Sequence, residues 1–178
     1  MDLHLTYRHT PSSPILFGYA DADWGGDPET QRSATGYSSK SLGGPVAWKS
    51  KCQPTVALST TEAEYMATTD AAEEATWLLR LINNLGVEYD QALPLYDNNN
   101  GCVAIANNPV HHKRSKHIGL PHHSIREKVE DKTIDLRHIL TDKNIADLLT
   151  KGLSRDQFRT LCGAMGMLRT SEQVGVSE

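Results

Sequence analysis

At 178 residues, with 38% hydrophobic and 22% charged side chains, the chain is long enough for one domain with a proper core. No run of about 18 apolar residues is present, which excludes a membrane-spanning helix, and MDLHLTYRHT lacks the apolar stretch of a signal peptide. The formal net charge of −4 excludes general electrostatic adhesion to nucleic acid, so such binding needs a local patch or a metal. Cys52, Cys102 and Cys162 are widely spaced, match no metal pattern, and are expected as reduced thiols of an intracellular protein.

Residues 15–24, ILFGYADADW, read as a strand with Ile15, Phe17, Tyr19, Asp21 and Asp23 on one side. Residues 33–40 and 45–50, separated by Gly43 and Gly44, continue it as an antiparallel meander. A long helix is predicted over about 60–85, with Leu78, Leu81, Ile82 and Leu85 as its apolar stripe and Gly86 as its stop. A short buried strand fits 92–97 and a short helix 100–107, ending before Pro109. After a polar, histidine-rich stretch come a helix near 122–130, a strand near 133–139, and helical segments near 143–150 and 155–163. Residues 1–168 are expected to form one domain and 169–178 a polar, frayed tail. Trp24, Trp48 and Trp77 are expected in the core. Three strands, a helix, then alternating strand and helix imply an α/β fold with helices on a mixed sheet.

Acidic residues recur at the ends of these elements. Asp21 and Asp23 lie two apart on a strand, which aims both carboxylates the same way about 6–7 Å apart. Such a pair repels unless a cation intervenes; otherwise it is a solvated strand end. Ser59 and Glu62 form the S-x-x-E capping box, with Glu62 expected to reach back to the Ser59 amide. That gives Glu62 a structural role and leaves Glu64 for chemistry. Asp147 sits in a short helix beside Ile145, Leu148 and Leu149, where alone it reads as a solvated helix residue. His111, His112, His117, His122 and His123 lack the spacing and the cysteines of a zinc site. Lys113, Arg114 and Lys116 among them read better as a basic loop facing phosphates.

The run GYADADWGGD, RSATGY, WKSKCQPTVALSTTEAEYMA, NNNGCVAIANNP, HKRSKHI, IREKVE and TDKNIADLLTKGL resembles the ribonuclease H domain at the C-terminal end of copia-type (Pseudoviridae-like) retrotransposon Pol polyproteins. The likeness covers about residues 4–168, in the family's order, with no polymerase motif, and the chain is expected to be a fragment or isolated domain of such a polyprotein. It implies a ribonuclease H-like fold: a five-stranded mixed sheet, three antiparallel strands then parallel ones, with helices on both faces. It implies hydrolysis of the RNA strand of RNA–DNA hybrids with two Mg2+ ions, Mn2+ being the substitute. Hard Mg2+ prefers oxygen ligands, which suits a site of Asp and Glu. Carried over, the metal-binding acids fall on Asp21, Glu64 and Asp147, with Asp23 in support.

The third acid departs from the family pattern. Counting back from Gly101 places it at 98, where this chain has Asn98, with an acid one residue earlier at Asp97. Neighbouring strand residues face opposite sides, so Asp97 substitutes only after a one-residue slip. Gly119, Pro121 and Ser124 also replace the family's Asp, Arg and aromatic residue. Two expectations follow: a ribonuclease H of reduced activity, or a silent, domesticated or decayed domain that binds hybrid or a reverse transcriptase partner. The expected setting is intracellular, in a cytoplasmic particle or the nucleus, as a monomer and off the membrane.

Overall fold

The computed structural model describes residues 3–8, 14–108 and 121–169. The basic loop with Lys113, Arg114 and Lys116 and the tail from residue 170 lie outside them. The elements in chain order are β1 (Leu3–Leu5), β2 (Phe17–Asp23), β3 (Ala34–Ser41), β4 (Gly44–Cys52), α1 (Thr60–Asn84), β5 (Leu93–Asp97), α2 (Asn100–Asn107), α3 (Pro121–Glu130) and β6 (Ile134–His138). Two short 3₁₀ turns (Thr141–Lys143 and Ile145–Leu149), α4 (Arg155–Met165) and β7 (Met167–Arg169) follow.

The sheet order is β4-β3-β2-β5-β6, with β2, β3 and β4 antiparallel and β5 and β6 parallel to β2. This is the mixed topology expected from the sequence. Strand alternation divides its packing. Leu16, Ala20, Leu93 and Leu95 face α1, where they join Tyr65, Ala71, Ala72, Ala75 and Leu78 in the main core. Tyr19, on the other face, packs with Ile145, Leu161 and Met165 from the Ile145–Leu149 turn and α4.

The structure moves several expectations. The buried face of α1 is made largely of alanines, not of the leucine stripe, because small side chains let a long helix lie close on the sheet. Leu78 is buried, but Leu81 and Leu85 are 39% and 73% exposed. Gly86 does follow the helix end, with φ +83°. The tryptophans are surface residues: Trp24, Trp48 and Trp77 are 52%, 56% and 56% exposed. Trp24 is anchored by its indole N–H, which donates to the Ala57 carbonyl at 3.1 Å. The segment near 143–150 is 3₁₀ rather than α-helical. A second, two-stranded sheet, β1 against β7, pairs Leu3 with Arg169, so ordered structure reaches one residue into the stretch expected to be tail.

Ser124 is half-buried and accepts a hydrogen bond from Lys128 Nζ at 2.9 Å. It borders an open cavity of about 380 Å³ with Thr35, Gln53, Met66 and Asp70, in keeping with a small residue where a large one is expected.

Candidate active site

Asp21 lies on the central strand β2, is fully buried, and pairs across the sheet with Gly36 of β3. Gly36 decides what can approach. A Cβ there would meet Thr150 Cγ2 at 2.6 Å and Leu149 Cβ at 2.9 Å, so only glycine lets the Ile145–Leu149 turn lie directly on the strands. The turn is then tied down by Asn144, also fully buried. Its Nδ2 donates to the Ala20 carbonyl at 2.8 Å, and its Oδ1 accepts the Ala146 amide at 3.2 Å, capping the turn. Asp147 thereby enters the interior beside Asp21, and the Thr150 hydroxyl donates to Asp21 Oδ2.

Glu64 arrives from the first turns of α1. Ser59 Oγ accepts the Glu62 amide at 3.2 Å, as the capping box requires, but Glu62 Oε2 accepts the Leu58 amide at 2.7 Å rather than that of Ser59. Glu62 is thus occupied at the helix start, while Glu64 is buried and accepts the amide of Ala22 on β2. Its Oε2 is buried with no hydrogen-bond partner.

The end of β5 presents two consecutive residues to opposite sides. Asp97 follows Leu93 and Leu95 toward α1, fully buried; it accepts from the Thr68 hydroxyl and, at 2.6 Å, from the Asn99 amide. Asn98 faces Asp21: its Nδ2 lies 3.4 Å from Asp21 Oδ1 and 3.4 Å from Thr141 Oγ1. His138 Nε2 stands 3.2 Å from the Asn98 carbonyl oxygen. Asp23 does not touch these groups. Its carboxylate folds over the adjacent turn, where a Cβ on Gly26 would come within 2.2 Å of Oδ2.

One ammonium enters this acidic centre. Lys151 Nζ lies 3.0 Å from Asp147 Oδ1 and 3.5 Å from Asp21 Oδ2. Apart from that ion pair and the adjacent Asp21 carboxyl, the Asp147 carboxyl faces no polar side chain among the described residues. Burial, then the negative charges of Asp97 and Asp21, push the Glu64 carboxyl up to about 10. Burial raises Asp97 to about 6 against the hydrogen bonds from Thr68 and Asn99. Burial followed by the Asp21 charge raises Asp147 to about 7. Burial works against the charged form of Lys151, but Asp21, Asp147 and Glu64 outweigh it and the net shift is upward. The site holds more carboxylates than cations to balance them, and protons or a metal must supply the rest.

The donor set suits a hard divalent ion. Glu64 Oε2 and Asp147 Oδ2 are buried with no hydrogen bond, Asp147 Oδ1 faces only the movable Lys151 ammonium, and the groups are oxygens throughout. Asn98 fits less well, since it can contribute a carbonyl oxygen but no charge, and its amide nitrogen is the atom nearer Asp21. Among the described residues, no three His, Cys, Asp or Glu side chains already stand in metal-holding geometry.

The sequence reading missed Asn144, Thr150, Lys151, Thr68 and His138. The run KNIADLLTK carried a signal for two of them, Asn144 and Lys151: a polar residue before a short apolar turn, and a lysine four after the acid.

No protein-family model matches the chain. It is 41% identical over 156 residues to the retrovirus-related Pol polyprotein from transposon TNT 1-94 of Nicotiana tabacum, covering 88% of this chain and 12% of that protein. It is 36% identical over 160 residues to the Pol polyprotein from transposon RE2 of Arabidopsis thaliana, covering 90% of this chain and 11% of that one. The chain thus spans about a tenth of the length of these relatives. In three dimensions it resembles LC11-RNase H1, isolated from compost, with a TM-score of 0.57, 19% identity, and coverage of 78% of this chain and 94% of that one. The same enzyme solved in complex with an RNA/DNA hybrid gives a TM-score of 0.54 at 18% identity, over 76% of this chain and 93% of that one. Over most of its length the chain is homologous to a segment of the retrovirus-related Pol polyproteins of copia-type transposons, and its own fold is ribonuclease H-like.

Proposed function

We propose that this domain is a retrotransposon-derived ribonuclease H whose hydrolysis of the RNA strand of RNA–DNA hybrids is sharply reduced by Asn98. The observation that carries the proposal is the direction of two neighbouring side chains. Asn98 faces Asp21, whereas Asp97 points under α1 to Thr68. Asp97 therefore adds its charge beside Glu64 and not at the position facing Asp21.

In this reading Asp21, Glu64 and Asp147 hold divalent ions, Mg2+ by preference and Mn2+ as substitute, with Asn98 offering at most a neutral oxygen. Such ions, when bound, make water nucleophilic and stabilise the leaving oxygen of the phosphodiester. The chain's own groups prepare the place. Thr150 fixes one oxygen of Asp21, Asn144 holds the turn that delivers Asp147, and the Ala22 amide orients Glu64. The substrate would be an RNA–DNA hybrid, as bound by the structural neighbour, and the natural partner the reverse transcriptase portion of the same polyprotein. Lys113, Arg114 and Lys116 are the candidate phosphate contacts, outside the described residues.

A second reading has its own support. The Asn98 amide already occupies one oxygen of Asp21 as a neutral donor, which suits a domain that binds hybrid without cutting it.

The experiment is to incubate the domain with labelled hybrid in Mg2+ and in Mn2+, beside Asn98→Asp. Weak cleavage by the parent and a rise of at least about 100-fold in the variant supports the first reading, since each 1.4 kcal/mol of barrier is tenfold in rate. A folded Asn98→Asp that binds hybrid without cutting it leaves the binding reading. Failure to bind hybrid at low salt removes that as well.

A further inference from the structure

We propose that Lys151 is the resident counter-ion of the acidic centre: its ammonium holds Asp21 and Asp147 together and must leave when a divalent ion enters. The inference rests on the reading of Asp21, Glu64 and Asp147 as metal ligands.

The position of the ammonium is the first reason. It stands between two fully buried carboxylates, 3.0 Å from one and 3.5 Å from the other. Two such acids facing each other without a cation would repel strongly. Asp21 is satisfied all round in this arrangement, with Asn98 at Oδ1 and with Thr150 and Lys151 at Oδ2. Asp147 has the Lys151 ammonium and the neighbouring Asp21 carboxyl as its polar partners. An ion entering between these acids would claim the same oxygens.

The side chain can also leave. Lys151 is 32% exposed, whereas the two acids are 1% and 0% exposed, so its stem runs from the rim of the site inward. A flexible four-carbon stem with a strongly hydrated head can rotate to water without moving the backbone. The anchor of the turn does not depend on it, since Asn144 and Gly36 fix the Ile145–Leu149 segment. Lys151 is thus built as a removable cation beside acids that are built to stay.

The test compares the parent with Lys151→Gln and Lys151→Arg, reading Mn2+ binding by calorimetry and melting temperature in EDTA. Lys151→Gln is expected to bind Mn2+ roughly tenfold tighter or more, the lower end for relieving one close charge pair. It is also expected to melt several degrees lower in EDTA and to gain more from Mn2+ than the parent. Lys151→Arg, which keeps the charge, should stay near the parent in both. If Lys151→Gln is unfolded in EDTA, refolding on Mn2+ addition is the expected result and failure to refold overturns the proposal. Unchanged or weaker Mn2+ binding by Lys151→Gln overturns the counter-ion role while leaving the metal ligands in place. If the parent, Lys151→Gln and Asn98→Asp all bind no Mn2+, the metal-site reading falls and this inference with it.

Discussion

Placing an acid at position 98 should make the domain depend on a divalent ion for stability. In the structure the Asn98 amide lies 3.4 Å from Asp21 Oδ1 and offers it a donor. Asn98→Asp replaces that donor with a second negative charge at the same distance. Two unit charges about 4 Å apart repel by about 4 kcal/mol at an effective dielectric constant of about 20. Loss of the amide contact adds about 1 kcal/mol. Lys151 and partial protonation of the cluster take back a share, which leaves a net cost of about 2 kcal/mol. For a domain of this size that lowers the melting temperature by about 4–8 °C. The assay is thermal unfolding of parent and variant in EDTA and in Mg2+ at pH 7.5. The variant should melt several degrees lower in EDTA and recover most of the loss in Mg2+, while the parent changes little. Equal melting in EDTA, or a deficit that Mg2+ does not touch, would refute the placement of residue 98 against Asp21.

The pH dependence of the metal-free protein has a fixed sign. Asp97, Asp147 and Glu64 titrate near 6, 7 and 10 when folded, above the ordinary carboxyl range. The folded state therefore keeps protons that the unfolded chain has lost, and stability should fall as pH rises from about 4 through 7 and beyond. Melting curves across pH in EDTA check this; a rise over that interval contradicts it. Gly36→Ala should drive a Cβ against Thr150 and Leu149 and cost about 1–3 kcal/mol, read by urea unfolding. Asn144→Ala leaves the buried Ala20 carbonyl and Ala146 amide without their partner, with an expected loss of about 2 kcal/mol and weakened Mn2+ binding through Asp147. Trp77→Ala, on an exposed helix face, should change stability by no more than about 0.5 kcal/mol.

The meander, the long helix and the alternating second half were legible because each carries a repeat that a few side chains reveal. The period of two placed Tyr19 and Asp21 on one side of β2, and it separated Asp97 from Asn98 on β5. The capping box distinguished Glu62 from Glu64 within two residues. The tryptophans were misjudged because bulk and apolarity favour burial without requiring it, and the face of α1 toward the sheet is filled largely by alanines instead. β1 and β7 stayed hidden because three-residue strands have no period to read and their pairing joins opposite ends of the chain.

By itself the sequence determined the elements of the five-stranded sheet and the opposite faces on which Asp97 and Asn98 stand. Those follow from local rules: alternation and helix capping. Tertiary structure decided what surrounds the acids. That Asn144 reaches from its turn to Ala20, that Gly36 admits Thr150 to Asp21, and that Lys151 inserts its charge between Asp21 and Asp147 depend on segments more than a hundred residues apart meeting on one strand. No local pattern encodes such contacts, because they arise where packing brings two distant faces together.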